Sequence, residues 1–290
     1  MRTAQFDLLT PGSVNEAIAL LTKYDDVKVL AGGQSLVPLM KFRLVRPRYL
    51  LDLHKIPSLA YIKQDQKRFY IGCMTTHDAI ASSNAIRLEC PLLAATAEEI
   101  ADPQIRNRGT IGGSLCHADP NADYLPTIVA LGSEMKISGS SGERTVRAED
   151  FFLDTFLTLL QPTELVTEIQ VPILPATTGS AFIKISRMEH DFGVVNVATL
   201  LSLTSGEKCA DATIILGGVA SKPVRAEMAE DTMKGKKVNE DLIKEAAELA
   251  KKAPMNPQSD VRGTAEYKID MVSVGVKRAL LRPSKQQRGH

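Results

Sequence analysis

Two double-glycine stretches, far apart in the chain, constrain its fold more than any other feature. The first is Ala31-Gly32-Gly33-Gln34-Ser35, directly after the mainly apolar run Val27–Leu30. The second is Thr110-Ile111-Gly112-Gly113-Ser114, after the charged loop Arg106-Asn107-Arg108-Gly109. Glycine has no Cβ and tolerates φ > 0, so each stretch is expected to form a tight turn that a ligand can approach closely. Successive N–H groups in such turns make a concavity suited to phosphate oxygens. Two of them point to one extended, doubly phosphorylated ligand held from both sides.

Neither stretch fits the commoner phosphate loops. There is no Gly-x-x-x-x-Gly-Lys-Ser/Thr and no Gly-x-Gly-x-x-Gly opening a helix after the first strand. A nucleotide triphosphatase and a standard Rossmann site are therefore disfavoured. Composition removes further classes. The 35 basic and 34 acidic residues leave a net charge of +1, without the basic excess of a nucleic-acid binder. No apolar run is long enough to span a bilayer. The first residues lack the apolar core of a signal peptide, so a cytoplasmic location is the expectation. The four cysteines (Cys73, Cys90, Cys116, Cys209) are scattered with no Cys-x-x-Cys pair, so no zinc or iron–sulfur site is expected on this chain. Buried free thiols are the simplest reading of them.

Residues 1–55 read as alternating α and β. Ser13 and Glu16 make a capping box ahead of Val14, Ala17, Ile18 and Leu21 at helical spacing. Val27–Leu30 reads as a strand, 36–42 as a short helix and 49–53 as a second strand. This small parallel unit places the glycine turn at a strand's carboxyl end, where open α/β sheets bind ligands. In 56–175 a hairpin is expected around 64–68, with helices after Thr76, over 91–100 and over 124–131. Strands are expected at 135–138 and 165–171, separated by the turn-rich 139–142. Beyond a Pro-, Thr- and Gly-rich boundary at 172–179, residues 176–290 predict three strands (180–185, 194–203, 212–216). Two amphipathic helices (239–252 and 264–281) and a polar tail over 285–290 follow.

After the second glycine pair the chain continues Leu115-Cys116-His117-Ala118-Asp119-Pro120-Asn121-Ala122-Asp123. With the early Ala-Gly-Gly-Gln-Ser loop and a third segment, Phe182-Ile183-Lys184-Ile185-Ser186-Arg187 followed by Asp191-Phe192, this resembles one family. It is the FAD-binding medium subunits of the molybdenum hydroxylases, the xanthine dehydrogenase and carbon monoxide dehydrogenase group. The similarity runs in order over residues 1 to 285.

The resemblance implies an α+β fold. A two-part FAD-binding module of the vanillyl-alcohol-oxidase (PCMH) type would be followed by a C-terminal α+β domain, a three-stranded antiparallel sheet with helices. It implies that Val29, Leu30, Ala31, Gly32, Gly33, Gln34, Ser35 and Leu36, with Thr110, Ile111, Gly112, Gly113 and Ser114, enclose the diphosphate of a noncovalent FAD. Ile100 and Val166 would give apolar contacts, and Asp119 lies in the same binding segment. Asp123 would accept bonds from cofactor hydroxyls, and Lys184 would place a cation near the flavin ring.

It further implies an electron-transfer subunit with no catalytic acid, base or nucleophile of its own. Its partners would be a small [2Fe-2S] subunit and a large molybdenum-cofactor subunit, in a dimer of heterotrimers. The chain departs from many members in having Met188 after Arg187. It lacks the cysteine-bearing insertion that some relatives use for an extra cluster.

Each residue also has a structural reading. Asp123 can be a helix N-cap and Asp119 a turn former. His117 can be a hydrogen-bonded structural residue, and Lys184 a solvated strand lysine. Arg187 can pair with Asp191, and Ser35 and Ser114 can cap local turns. Two rival functions stand beside the electron-transfer one. The first is a self-contained reductase of the UDP-N-acetylenolpyruvoylglucosamine type; the second is a cofactor-free scaffold whose glycines only make turns.

Overall fold

The computed structural model describes residues 2–282, so the polar tail at 285–290 lies outside the described residues. Three sheets organise the chain. The first is built from β1 (Asp7–Leu9), α1 (Val14–Lys23), β2 (Val27–Leu30), α2 (Leu36–Lys41) and β3 (Tyr49–Asp52). Its strand order is β1-β3-β2, parallel throughout. The Ser13 hydroxyl accepts from the Glu16 N–H (3.2 Å), and the Glu16 carboxylate reaches back to the Gly12 N–H (2.7 Å), one residue earlier than a standard capping box. Ala17, Ile18 and Leu21 then point into the core.

The second sheet follows. Its elements are β4 (Ile62–Gln64), β5 (Arg68–Gly72), α3 (His77–Ser82), α4 (Asn84–Glu89), α5 (Pro91–Glu98), α6 (Pro103–Arg106), α7 (Ile111–His117) and α8 (Tyr124–Ala130). After them come β6 (Glu134–Gly139), β7 (Gly142–Arg147), α9 (Ala148–Phe151), the small hairpin β8 (Phe152–Asp154) and β9 (Leu157–Thr158), and β10 (Leu165–Pro172). The strand order β4-β5-β10-β6-β7 is antiparallel, with a bulge in β10 between Val166 and Glu168. The turn at 139–142 joins β6 to β7, a strand too charged to be read from its sequence.

The third sheet contains β11 (Thr178–Ile185), β12 (Val195–Leu203), β13 (Cys209–Gly217) and β14 (Val224–Arg225) in that order. It has four strands where three were expected, the fourth being only two residues long. Helices α10 (Glu227–Met233), α11 (Glu240–Ala250) and α12 (Ala265–Leu281) cover one face. There Val272, Val276, Ala279 and Leu280 pack with Val197, Ile214 and Leu216 in a separate core. The first two sheets share another core, which Phe182, Ala198 and Ile215 join from the opposite face of the third sheet. The third sheet is thus apolar on both faces, and its second face leans on the helices that carry the candidate site. Among the described residues, no helix is long and apolar enough to cross a membrane.

Candidate flavin site

The two glycine pairs lie side by side. A Cβ built on Gly32 would fall 2.3 Å from the Arg108 carbonyl oxygen and 2.6 Å from Gly109 Cα. A Cβ on Gly113 would fall 3.3 Å from Ala31 Cβ. Gly33 takes φ +74°, the left-handed conformation that side chains disfavour. The loop after β2 therefore packs backbone to backbone on the segment leading into the second motif.

The second motif corrects one expectation. Gly112 and Gly113 form no turn; they sit in the first turn of α7, with Thr110 as N-cap. Two glycines weaken a helix by about 1 kcal/mol each. Packing explains them: a Cβ on Gly112 would lie 2.5 Å from Cys73 Cβ. Nor does this motif offer open donors. The Ile111 N–H donates to Thr75 O (3.0 Å) and the Gly112 N–H to Cys73 O (2.9 Å). The Gly113 N–H goes to Thr110 Oγ1 (3.1 Å) and the Ser114 N–H to Thr110 O (3.0 Å).

The first motif is the reverse case. The N–H groups of Gly32, Gly33, Gln34 and Ser35 have no protein acceptor among the described residues. Four consecutive free donors at the carboxyl end of a parallel strand form an anion-binding concavity. Val29 and Leu30 belong to β2 beneath it, Gln34 is exposed, and Leu36 opens α2. The Ser35 side chain makes no capping bond, so its reading as a turn cap does not hold. Ser114 sits half-buried within α7.

A buried ion pair joins the segment after α7 to the third sheet. Lys184 Nζ, from β11, lies 3.1 Å from Asp123 Oδ2 and 2.8 Å from the Glu99 carbonyl oxygen. Both side chains are almost wholly buried, at 4% and 6% exposure, so Lys184 is no solvated strand lysine. Asp123 makes no capping bond, and its Oδ1 is buried without a partner. Burial pushes its carboxyl up to about 7, against the opposing pull of Lys184. Ile100, half-buried, follows Glu99, and Val166 is buried in the shared core beside the β10 bulge.

The segment between α7 and Asp123 is tied to the third sheet. Asn196 Nδ2 donates to Asn121 O (3.0 Å) and the Gly218 N–H to Pro120 O (2.9 Å). Asp119 is a turn former here, its carboxylate accepting from the Asn121 N–H (2.9 Å). His117 packs on Phe156, with ring centroids 5.0 Å apart. Arg187 donates to the Val261 carbonyl rather than pairing with Asp191, whose carboxylate takes the Phe192 N–H.

Two residues were missed from sequence. Asn196 offers no motif. His77 is buried behind Gly109, its imidazole held down to about 4 by burial and by Arg106. The glycine at 109 was the available signal, since a Cβ there would meet the ring at 2.6 Å. Among the described residues, no group of three or more His, Cys, Asp or Glu is gathered to hold a metal ion.

Comparison with known proteins fits this geometry. Residues 4–174 match the family described as the FAD binding domain in molybdopterin dehydrogenase, and residues 180–282 the CO dehydrogenase flavoprotein C-terminal domain. The carbon monoxide dehydrogenase medium chain of Hydrogenophaga pseudoflava is 39% identical over 277 residues, covering 95% of this chain and 96% of that one. The 6-hydroxypseudooxynicotine dehydrogenase complex subunit alpha of Paenarthrobacter nicotinovorans is 35% identical, with both chains covered in full. A solved structure of carbon monoxide dehydrogenase from Hydrogenophaga pseudoflava superposes with a TM-score of 0.95 at 39% identity, covering 99% of each chain. The chain belongs to the FAD-binding medium subunits of the molybdenum hydroxylases, and so to a family of oxidoreductase subunits.

Proposed function

We propose that this chain is the flavin-carrying electron-transfer subunit of a cytoplasmic, heterotrimeric molybdenum hydroxylase that pairs into a dimer of heterotrimers. Substrate is oxidised on a large molybdenum-cofactor subunit. A small [2Fe-2S] subunit relays the electrons to FAD on this chain, which passes them to an external acceptor. The chain's parts at 1–55 and 56–175 form the FAD-binding module, and 176–290 is the C-terminal domain. Four free cysteines suit a reducing compartment.

One observation carries the reading: four consecutive N–H groups, from Gly32 to Ser35, stand free where two glycine motifs meet. That donor set matches the phosphate oxygens of a dinucleotide, and the missing Cβ at Gly32 lets the donor loop pack directly on the Arg108–Gly109 backbone. The span from Val29 to Leu36 holds the diphosphate. Thr110 to Ser114 back it, contributing close packing rather than open donors. The buried, unpartnered Asp123 Oδ1 is an acceptor suited to a cofactor hydroxyl. Lys184 holds that carboxylate in place and supplies a buried cation, while Ile100 and Val166 give apolar contacts and Asp119 shapes the turn between them. Bound FAD supplies reversible one- and two-electron chemistry.

The test is reconstitution. The purified full chain, mixed with FAD and desalted, is expected to keep visible flavin absorption and to melt at a higher temperature, because a ligand of the native state stabilises it. The isolated, FAD-loaded chain is expected not to oxidise NADPH. Turnover by the isolated chain favours the self-contained reductase instead. Colourless protein with an unchanged melting temperature refutes the flavin reading.

A further inference from the structure

The free-donor loop carries no charge of its own. Its N–H groups are neutral, whereas each phosphate of a dinucleotide is an anion. Lys184 does not serve them, since its ammonium is already bonded to Asp123 and to the Glu99 carbonyl. The loop calls for an unpaired cation beside it.

Arg108 fills that place. Its carbonyl oxygen is the atom on which Gly32 packs, so its backbone sits against the loop itself. Its side chain is exposed and crosses to the first sheet, where Nη2 lies 3.3 Å from His54 Nε2. His54 comes just after β3, which pairs in parallel with β2 and sets Asp52 opposite Leu30. The guanidinium thus lies over the same carboxyl edge of the sheet as the free N–H groups. Among the described residues, Arg108 makes no ion pair. Arg106 is different, its guanidinium being bonded to the Ile100 and Ala101 carbonyls.

His54 is itself held. Asp52 Oδ1 accepts from the His54 N–H (3.0 Å) and lies 2.5 Å from His54 Nδ1. A guanidinium only donates and an ionised carboxylate only accepts. The ring therefore bonds both with its proton on Nδ1 and its Nε2 lone pair toward Arg108. A carboxylate in direct contact would orient Arg108 as well, but it would also cancel the charge. An imidazole between the two fixes the long side chain and leaves its charge for a ligand.

We propose that Arg108 binds the diphosphate of the cofactor and that His54, held by Asp52, is its positioning residue, an inference that rests on the flavin reading above. Arginine suits the task, because its planar fork can give some N–H groups to phosphate oxygens while another stays on His54.

The test uses the full chain, with FAD as the probe. Wild type, Arg108→Gln, Arg108→Lys, His54→Ala and the double variant Arg108→Gln/His54→Ala are titrated with FAD at low and high salt. The control is Lys277→Gln, which removes an exposed cation from α12. Arg108→Gln is expected to weaken binding about tenfold or more, as loss of a bond between charged groups does, and to flatten its salt dependence. Arg108→Lys is expected to keep the salt dependence and to lose less affinity. His54→Ala is expected to weaken binding about two- to tenfold, the effect of freeing one long side chain. In the Arg108→Gln background it is expected to add nothing. Apo melting temperatures are expected to stay near wild type, because both side chains are exposed. Lys277→Gln is expected to bind normally. Wild-type FAD affinity in Arg108→Gln overturns the proposal and leaves the flavin reading intact. So does a lowered apo melting temperature with unchanged salt dependence, which marks a structural clasp. A His54→Ala loss undiminished in the Arg108→Gln background overturns the positioning role. A wild type that retains no FAD overturns both readings.

Discussion

Gly32→Ala is expected to cost the chain its flavin. The added Cβ meets the Arg108 carbonyl and Gly109 Cα, both backbone atoms that cannot rotate away. The loop after β2 must lift off the segment ahead of α7, and its four free N–H groups lose their alignment. Bonds to a charged group contribute about 1.5–3 kcal/mol each, so misaligning two of them weakens FAD binding by roughly two to four orders of magnitude. The apo protein is expected to lose about 1–3 kcal/mol from overpacking. Gly113→Ala separates the two effects. Alanine is the better helix former at that position, which offsets the clash with Thr110 Oγ1, while its methyl presses on Ala31. This variant is expected to melt near wild type and still bind FAD more weakly. Equilibrium titration followed by flavin fluorescence, alongside thermal melts, reads both. Wild-type affinity in both variants would show that the paired motifs do not hold the cofactor.

Local signals in the sequence are what made most of the fold legible. Ser13, Thr76 and Asn239 each cap the helix that follows, with the side chain accepting the expected N–H. The alternation of Val27–Leu30 and the long apolar stretches at 178–185 and 195–203 mark strands. What escaped is short or decided by distant partners. Strand β1 is three residues and β14 two, and each exists because a neighbour pairs with it. Strand β7 is almost entirely exposed and charged, so nothing in its pattern separates it from a loop.

The second glycine pair shows the limit most clearly. Glycine pairs favour turns, yet Thr110 was also a valid helix cap, and packing on Cys73 and Ala31 decided for the helix. For the same reason the sequence could locate both motifs but could not tell which held free donors. Whether the Ile111 and Gly112 N–H groups are open depends on Thr75 and Cys73 carbonyls on a different part of the chain. The Asp123–Lys184 pair joins residues 61 positions apart, one just ahead of α8 and the other on β11, and no local pattern encodes such a contact.

Lys184→Met is expected to be the most damaging single change in the C-terminal sheet. It removes the only charged partner that Asp123 has within bonding distance among the described residues and leaves both carboxylate oxygens buried and unsatisfied. Breaking a buried pair in this way typically costs about 3–5 kcal/mol. The loss is expected to depend on pH. With Lys184 present, burial already holds the Asp123 carboxyl up at about 7 in the folded chain, against an ordinary value of 3.8 in the unfolded one. Between those values the folded state binds the proton more tightly, so this group's contribution to stability falls as pH rises.

Removing the lysine removes an influence that lowers this value, so the window extends above pH 7. The deficit of Lys184→Met is therefore larger at pH 8.5 than at pH 5.5. His77, held down to about 4, acts in the opposite direction below pH 6.5, but it does so in every variant and cancels in the comparison. Adding Asp123→Asn to Lys184→Met is expected to abolish the extra pH dependence and recover part of the stability, because a neutral amide costs less to bury than a carboxylate. Urea unfolding of the three apo proteins at both pH values measures this directly. A deficit below about 1 kcal/mol, or one equal at both pH values, would mean that the pair is solvated and carries no buried charge.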